Sequence, residues 1–243
     1  MDIHNTAVIH QAYFLPWLGY FNKLIHATDF IVLDNAQYNI RDYHNRTNIK
    51  SMHGKKIWLT LSVGANNYQV SCADVKVINK ETLTKAFATI HHSYAKTKYY
   101  ASFWPLIQQS IVQGYPKLVD INVNVIKVFL SILNLTNVQI HLASELGSYA
   151  DATQRLIMLC KQTKCDRLII GQGGSADCHD LSAINGAGID YSIQEFYANH
   201  PIYPQVFGHF VSHLSTIDAL FNVGPEATYL LIRDAWSPKW SST

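Results

Sequence analysis

The sequence predicts an α/β protein with a mainly parallel sheet of about five strands. Short apolar runs alternate with helical patterns at both ends of the chain, which is typical of parallel strands joined by helices. Between about residues 81 and 135 the spacing stays helical, which indicates an inserted layer of helices. With 243 residues, 48% of them apolar, the chain is long enough to bury a large core. We therefore expect one Rossmann-like α/β domain over residues 1–243, with a β-hairpin and a helical insertion.

The first predicted unit is a strand, a loop, a helix and a second strand, written AVIHQAYF, LPWLGYFNKLIHA and DFIVLDN. Pro16 suits the first turn of the joining helix, because that position needs no backbone N–H. Gln11, Tyr13 and Tyr20 cluster at the carboxyl end of the first strand, the edge at which open α/β sheets bind ligands. This edge is the candidate site, and an ordinary buried aromatic turn is the alternative.

A β-hairpin is predicted next, with strands at Thr47–Lys50 and Ile57–Ser62. Before it stand Arg41, His44, Asn45 and Arg46. Arginine presents a planar fork that suits a carboxylate or a phosphate, so this segment is interpreted as an anion clamp, and Arg41 and Arg46 are predicted to face the mouth beside Gln11. A solvated basic loop is the alternative.

The inserted layer, from about residue 81 to 135, is predicted to contain three helices. The last break falls at Gly114 and Pro116. His92 lies near the end of the first helix, where a positive charge is favoured by the helix dipole. Helix capping is the first interpretation of this histidine, and a substrate contact is the second.

A glycine-rich turn follows a further predicted strand in the segment DRLIIGQGGSADCHD. Gly171, Gly173 and Gly174 free the backbone amides to contact a phosphate or carboxylate, and Ser175 adds a hydroxyl. A helix is predicted to begin near Asp180. The spacing fits neither a Walker loop nor the dinucleotide-binding fingerprint, so the turn is interpreted only as a second anion-binding element.

The end of the chain contains a last strand at Tyr191–Glu195 and the aromatic loop FYANHPIYPQVFGHF. Its prolines exclude regular structure, and loops of this kind often cover a site. Two helices are predicted to follow, with a boundary at Gly224 and Pro225.

Composition excludes several classes of protein. The formal net charge is only +2 without a long basic run, so binding to a nucleic-acid duplex is not expected. No apolar window is long enough for a membrane span. Four cysteines without a CxxC pair, and the lack of a signal-like N-terminal segment, indicate reduced thiols and a cytoplasmic location. No histidine or cysteine cluster has zinc-site spacing, so neither a metal nor a cofactor is expected.

Three segments, in order and spacing, resemble the bacterial WbqC-like protein family. They are QAYFLPWLGYF, DNAQYNIRDYHNR, and the late set GQGGSADCHD, HPIYPQ and HLSTIDALFNVG. The matching positions are Gln11, Tyr13, Phe14, Pro16, Gly19, Tyr20, Asp34, Gln37, Tyr38, Arg41, Asn45, Arg46, Gly171, Gly174, Asp177, Asp180, Pro201, Tyr203, Gln205, Ser215, Asp218, Asn222 and Gly224. The resemblance implies a role in surface-polysaccharide or related biosynthesis, by acyl or aminoacyl transfer onto amino sugars.

The chain departs from the family pattern at a few positions. Ala12 stands where the family commonly has proline, and Thr47 and Asn48 follow the Asn-Arg pair. Cys178 and His179 replace a larger apolar pair. Adjacent residues on an element diverge, which also disfavours this cysteine and histidine as a nucleophile and base.

We therefore predict a transferase that forms an amide on an amino sugar or nucleotide-linked metabolite. Its expected partners are a small anionic substrate, such as a nucleotide sugar, and an activated acyl or aminoacyl donor. Asp34 and His44 are the candidate bases, while Tyr13 and the amides of Gly173 and Gly174 are candidates for the oxyanion. The predicted substrate-binding residues are Gln11, Tyr20, Gln37, Tyr38, Arg41, Asn45, Arg46, His92, Gly171, Gly173, Gly174, Ser175, Asp180, Tyr203, Gln205, His213 and Asp218.

Two alternatives remain open. The order of strand, turn and helix in the first unit is similar to that of cytidylyltransferase-like enzymes. In this chain, however, Trp17 and Tyr20 lie where the histidines of their phosphate-binding motif are expected. A non-catalytic ligand-binding protein of a biosynthetic cluster is the other alternative.

Overall fold

The computed structural model describes residues 4–64, 69–149, 151–172 and 174–241. In chain order the helices and strands are β1 (Thr6–His10), α1 (Leu18–Leu24), β2 (Asp29–Val32), β3 (Arg46–Lys50), β4 (Lys56–Thr60), α2 (Lys80–Tyr94), α3 (Tyr100–Gly114), α4 (Leu118–Ile132), β5 (Gln139–Leu142), α5 (Ala143–Leu146), α6 (Ala152–Gln162), β6 (Arg167–Ile170), α7 (Gly174–Asp177), α8 (Leu181–Gly186), β7 (Asp190–Ile193), α9 (Thr216–Val223) and α10 (Pro225–Asp234). The predicted α/β class is confirmed.

The main sheet has five parallel strands in the order β5-β2-β1-β6-β7. Alternate residues of the central strands pack into two cores on opposite faces. Val8 and Phe30 belong to the larger core, and Ala7 and Ile31 to the smaller one. Burial on both faces explains why these strands are continuous apolar runs. Since both cores share one sheet, the arrangement is in keeping with a single domain, which stays a prediction.

The sheet grows from β1 in two directions. Strands β2 and β5 extend it on one side, and β6 and β7 extend it on the other. The strand order therefore reverses between β1 and β6, and open α/β sheets bind ligands in the crevice at the carboxyl ends of such a pair.

The predicted hairpin and helical layer are both present. Strands β3 and β4 pair antiparallel, with Ile49 opposite Ile57. Helices α2, α3 and α4 form the layer between β4 and β5. Gly114 ends α3, where a Cβ atom would lie 2.3 Å from the backbone nitrogen of Ile121 in α4. The close approach of these two helices therefore requires glycine at this position.

Helix α1 begins at Leu18, two residues later than the position of Pro16 predicts. The hydroxyls of Thr47 and Ser215 donate to the carbonyl oxygen of Leu15, at 3.0 and 2.7 Å. Both acceptor positions of that carbonyl are thus used by the hairpin and by the start of α9, so it does not begin the helical ladder. The loop before α1 is fixed by tertiary contacts.

No helix in the described ranges has both the length and the apolar character needed to cross a membrane.

Candidate functional site

An open cleft lies at the carboxyl ends of β1 and β6, where the strand order reverses. We call it the switch-point cleft, and its main residues are His10, Tyr13, Tyr20, Lys23, Gly171 and Gln194. Its cavity of about 470 Å³ adjoins a second cavity of about 410 Å³, and both are lined by His10 and Tyr13. Both cavities lie at the sheet edge at which the sequence predicts the candidate site.

His10 is the last residue of β1, and its hydrogen bond determines which ring nitrogen carries the proton. Nδ1 lies 2.8 Å from the carbonyl oxygen of Gln11, so Nδ1 carries the hydrogen and donates it. Nε2 has no hydrogen-bond partner among the described residues. Burial and then the nearby Lys23 hold the pKa of His10 well below its ordinary value. His10 is therefore a neutral imidazole with a proton-accepting nitrogen in the cleft.

Lys23 places a positive charge on the wall of the same cleft. Its side chain is only 5% exposed, and no carboxylate pairs with it in the described part of the chain. Burial lowers its pKa from 10.5 to about 7. An ammonium group buried without a counter-charge is costly, and an anion bound in the cleft would offset that cost.

Gln194 follows β7 and has a fixed orientation. Its Nε2 donates to the carbonyl oxygen of Gly19 at 2.8 Å and to Oδ1 of Asn22 at 2.6 Å. Asn22 is fixed in turn because its Nδ2 donates to the carbonyl of Ile232 at 2.7 Å. Both protons of the Gln194 amide are used, so this residue presents only the acceptor Oε1 to a ligand in the cleft.

Two tyrosines complete the wall on the side of β1. Tyr20 donates its hydroxyl to the carbonyl of Gln11 at 2.9 Å. Burial, followed by the Asp42 carboxylate, raises the pKa of Tyr13 above its ordinary value. Tyr13 therefore stays protonated and can act only as a hydrogen-bond donor to a developing negative charge.

Glycine at position 19 allows the aromatic wall to form. A Cβ atom there would lie 2.5 Å from the ring of Trp17. That ring packs edge-on against Phe196 at 5.4 Å and parallel to His200 at 6.3 Å. The aromatic loop after β7 is thus held against the first turn of α1, next to the cleft.

Among the predicted residues, Gln11, Tyr13, Tyr20 and Gly171 lie together at the cleft. Gln37 is joined to this group through its backbone, because the Nε2 of Gln11 donates to its carbonyl at 3.1 Å.

The two candidate bases, Asp34 and His44, are almost completely buried. Asp34 is 3% exposed, and its carboxylate accepts from the backbone N of Ser144 at 2.9 Å and from its hydroxyl at 2.6 Å. His44 is 2% exposed behind Tyr13, and its Nε2 lies 4.0 Å from the Asp42 carboxylate. Burial lowers its pKa, although Asp42 opposes this. As bases, both residues stay predictions.

The predicted anion clamp lies beside the hairpin. Arg41 and Arg46 line a cavity of about 290 Å³ together with Tyr38 and Asn45. The hydroxyl of Tyr38 donates to Oδ1 of Asn45 at 2.9 Å, and Nδ2 of Asn45 donates to the carbonyl of Leu61 at 2.8 Å. The anion-clamp interpretation therefore applies to this cavity rather than to the mouth beside Gln11.

A buried polar network, and not the switch-point cleft, brings together three of the predicted substrate-binding residues, Tyr203, Gln205 and Asp218. Asp218 is fully buried, and the hydroxyl of Tyr94 donates to its Oδ2 at 2.9 Å. Burial raises the pKa of Asp218 to about 6. Lys50 donates to Oε1 of Gln205 at 3.3 Å. These contacts hold the aromatic loop onto the hairpin and the helical layer, apart from the switch-point cleft.

Three further predicted substrate-binding residues lie in different parts of the fold. His213 stacks on Tyr197 with ring centroids 4.0 Å apart, and Tyr197 in turn lines the cleft. His92 is exposed near the end of α2. Asp180 caps α8 by accepting from the backbone N of Ala183 at 3.0 Å.

The predicted glycine-rich turn is described only in part. Gly174 and Ser175 belong to α7. Gly173 lies outside the described residues, as does the side chain of Ser175.

Three cleft residues were missed by the sequence prediction. His10 directly precedes Gln11, so its place at the end of β1 was a usable signal. Lys23 follows Gly19 by four residues and Tyr20 by three, so helical spacing places it on the same face. Gln194 could be assigned to the cleft only with the order of the strands in the sheet.

Comparisons with known proteins agree with the sequence resemblance. The model of the WbqC-like protein family matches residues 11–229, a range that contains every main residue of the switch-point cleft except His10. The chain is also similar to Rv1507c, an uncharacterized protein of Mycobacterium tuberculosis (strain ATCC 25618 / H37Rv), with 25% identity over 228 residues that cover 90% of this chain and 94% of that protein. No solved structure matches the chain significantly. On the extent of the family match, the chain belongs to the WbqC-like protein family.

Proposed function

We propose that this chain is a transferase of surface-polysaccharide or related biosynthesis, which forms an amide on an amino sugar or nucleotide-linked metabolite bound in the switch-point cleft. One observation carries the proposal: the cleft combines the proton-accepting Nε2 of His10 with the ammonium of Lys23, which pairs with no carboxylate in the described part of the chain. Membership of the WbqC-like family suggests a role related to polysaccharide biosynthesis and supports the choice of substrate class.

The chemistry requires one base and a set of donors. The amine nitrogen attacks the carbonyl carbon of an activated acyl or aminoacyl donor and loses a proton, and the carbonyl oxygen becomes an oxyanion before the leaving group departs. The Nε2 of His10 accepts the amine proton and returns it to the leaving group. The hydroxyl of Tyr13 turns away from the Asp42 carboxylate, its partner in this structure, and donates to the oxyanion. Because the acyl group arrives activated, the step needs no metal.

The remaining polar groups bind the substrate. Lys23 offers its ammonium to a phosphate or carboxylate, and the Oε1 of Gln194 accepts a hydrogen bond from a sugar hydroxyl. Asp34 and His44 remain alternative bases. His10 is preferred because the oxygens of Asp34 are engaged by Ser144 and because Tyr13 packs between His10 and His44.

The test is product formation from a UDP-linked amino sugar and activated donors, namely acyl thioesters and aminoacyl donors, followed by mass spectrometry after chelator treatment. We expect His10→Gln to lower kcat by roughly 10²–10⁴-fold, the range for a lost general base. Lys23→Met should raise KM. Asp34→Asn and His44→Ala are assayed beside them, and His53→Ala, on the exposed hairpin turn, is the matched control.

Each part of the mechanism can fail separately. Undiminished turnover in His10→Gln would remove this residue as the base, and loss confined to Asp34→Asn or His44→Ala would move the role to that residue. Activity that chelation abolishes and zinc or magnesium restores would contradict the metal-independent step. A ligand that raises the melting temperature without product would favour a binding protein.

Nucleotidyl transfer is the second candidate, and one observation favours it. The imidazole of His10 packs 5.1 Å from the ring of Tyr20, so the cleft has an imidazole although the expected histidine motif is missing from α1. A nucleoside triphosphate incubated with a sugar phosphate distinguishes the two reactions, because nucleotidyl transfer releases pyrophosphate and amide formation does not.

A further inference from the structure

A row of aromatic rings leads from the switch-point cleft onto the hairpin. The ring of Tyr13 lies 5.6 Å from that of Tyr43, which lies 5.5 Å from that of Trp58. The pairs are tilted by 37° and 50°, so the rings do not cover one another as a parallel stack would. Tyr43 is 38% exposed and Trp58 is 46% exposed. Tyr43 and Trp58 therefore expose part of their ring surface to the solvent, in a line that begins at Tyr13 in the cleft.

Two arginines lie at the hairpin end of this row. The guanidinium carbon of Arg46 lies 4.0 Å from the ring centre of Trp58, and Arg46 shares a cavity with Arg41. In the described ranges neither arginine pairs with a carboxylate, and the buried Nε of Arg46 has no hydrogen-bond partner. Guanidinium groups without a counter-ion beside a cavity suit a bound carboxylate or phosphate.

The cleft end of the row carries the opposite charge. Asp42 lines the second cavity of the cleft and lies close to Tyr13, whose pKa it helps to raise. A carboxylate there accepts hydrogen bonds from hydroxyl or amino groups but repels anions. The row thus has an acidic end at the cleft and a basic end at the hairpin. A nucleic-acid strand, with a phosphate at every residue, fits this polarity less well than a ligand with a single anionic group.

We propose that this row, the aromatic track of Tyr13, Tyr43 and Trp58, binds an acidic oligosaccharide whose carboxylate or phosphate contacts Arg41 and Arg46. The C–H faces of pyranose rings are apolar and carry a slight positive charge, so they pack favourably on the negative faces of aromatic rings. Hydroxyl or amino groups at the other end of the saccharide reach Asp42. The ring centres of Tyr13 and His10 lie 4.8 Å apart, so the track places the last sugar of the saccharide in the cleft.

The inference rests on the proposed function only in naming the acceptor of the transfer. Binding to the track is measured without a donor, so a failure of transfer and a failure of saccharide binding are distinguishable.

The test uses calorimetry and tryptophan emission on the full chain. The probes are sialyllactose, which carries a single carboxylate at one end, the neutral galactotriose, and inorganic phosphate as a competitor that reports whether the arginine cavity also accepts phosphate. We expect sialyllactose to bind at least about tenfold more tightly than galactotriose, the scale of one charge-assisted hydrogen bond. Trp58→Ala should weaken binding of both sugars, and Trp58→Phe should remove the change in emission while retaining binding.

Charge variants assign the anionic group. Arg41 has φ +68°, so Arg41→Asn is chosen because asparagine tolerates the left-handed region. Arg41→Asn and Arg46→Gln should each weaken sialyllactose binding by about tenfold and leave galactotriose binding unchanged. Arg46→Lys keeps the charge if Arg46→Gln does not fold, and it should bind sialyllactose with intermediate affinity. Lys55→Gln, exposed at the hairpin turn, is the matched control and should have no effect.

Three results would overturn the proposal. They are equal affinities for the acidic and neutral trisaccharides, a loss of affinity in Lys55→Gln as large as in the arginine variants, and tighter binding of a thymidine oligonucleotide than of sialyllactose.

Discussion

Replacing Lys23 by methionine should stabilise the protein, and the gain should depend on pH in a defined way. Lys23 is 5% exposed, and its ammonium lies 5.6 Å from the ring centre of Tyr20 but pairs with no carboxylate among the described residues. Methionine has a similar length and an apolar, flexible side chain, so it fills the same space without a charge. The variant therefore isolates the cost of the buried charge.

The magnitude follows from the pKa of Lys23. Burial lowers it from 10.5 to about 7. At about 1.36 kcal/mol for each pKa unit, the charged form is disfavoured in the folded protein by up to about 5 kcal/mol. Between about pH 7 and 10.5 the unfolded chain binds more protons than the folded chain, so the free energy of unfolding rises with pH through this window. Below pH 7 both states are charged, and the whole cost is present.

Urea unfolding of the full chain at pH 6, 8.5 and 10.5 measures this cost. We expect Lys23→Met to exceed the parent by up to about 5 kcal/mol at pH 6, with the difference falling towards zero by pH 10.5. Lys127→Met, at an exposed position of α4, should differ from the parent by no more than about 0.5 kcal/mol at every pH.

Two results would refute this reasoning. A difference between Lys23→Met and the parent that does not change with pH would mean that the ammonium is solvated or paired in the folded protein. A destabilised variant at pH 6 would mean that the charge contributes favourably. Inorganic phosphate gives an independent readout, because it should stabilise the parent near pH 6 and leave Lys23→Met unchanged if an anion compensates this charge.

Three further variants test individual contacts. Gly19→Ala should lower the free energy of unfolding by about 1–3 kcal/mol, since the new Cβ atom would lie 2.5 Å from the Trp17 ring, and a neutral result in urea would contradict this packing. Asp218→Asn should be more stable than the parent by about 3 kcal/mol at pH 7, and this difference should vanish below about pH 4. Burial raises the pKa of Asp218 from 3.8 to about 6, so the folded parent loses stability as pH rises through that window. Melting temperatures of both proteins at pH 4 and 7 measure the difference. Asp34→Asn should cost about 1–3 kcal/mol by weakening the bonds from Ser144 while leaving turnover unchanged, and the transfer assay would show whether the carboxylate is needed.

Much of the fold could be predicted because it depends on local patterns. The central strands β1, β2 and β6 are largely apolar because both faces of the sheet are covered, and the more polar edge strands β5 and β7 were identified as well. The boundary between α9 and α10 follows from Gly224, with φ +86°, and Pro225. The start of α1 at Leu18 could not be predicted in the same way. It depends on hydrogen bonds from distant residues to the loop around Leu15, and such contacts leave no local signal.

The candidate site was predictable only where position along the chain determines position in space. Gln11 and Tyr13 follow β1 directly, so the strand-end rule found them. Lys23 was missed because a helix-borne lysine is ordinarily exposed, and its burial depends on packing that the sequence pattern does not reveal. Tyr203 and Asp218 were both predicted to bind substrate, but residue type alone does not distinguish a buried polar network from a ligand site.

The surroundings of the two buried charges make that distinction in physical terms. The Oδ2 of Asp218 accepts from the hydroxyl of Tyr94, and the Lys50 charge opposes the rise in its pKa, so the protein compensates this charge in part. Lys23 borders a cavity of about 470 Å³ beside His10, and its ammonium lies 5.6 Å from the ring centre of Tyr20 but pairs with no carboxylate in the described part of the chain. The raised pKa of Asp218 shows that a charge compensated only in part still lowers the stability of the fold. A charge that faces an open cavity without compensation lowers stability until an anion binds, and this is why the switch-point cleft, rather than the Asp218 network, is the site of the proposed transfer.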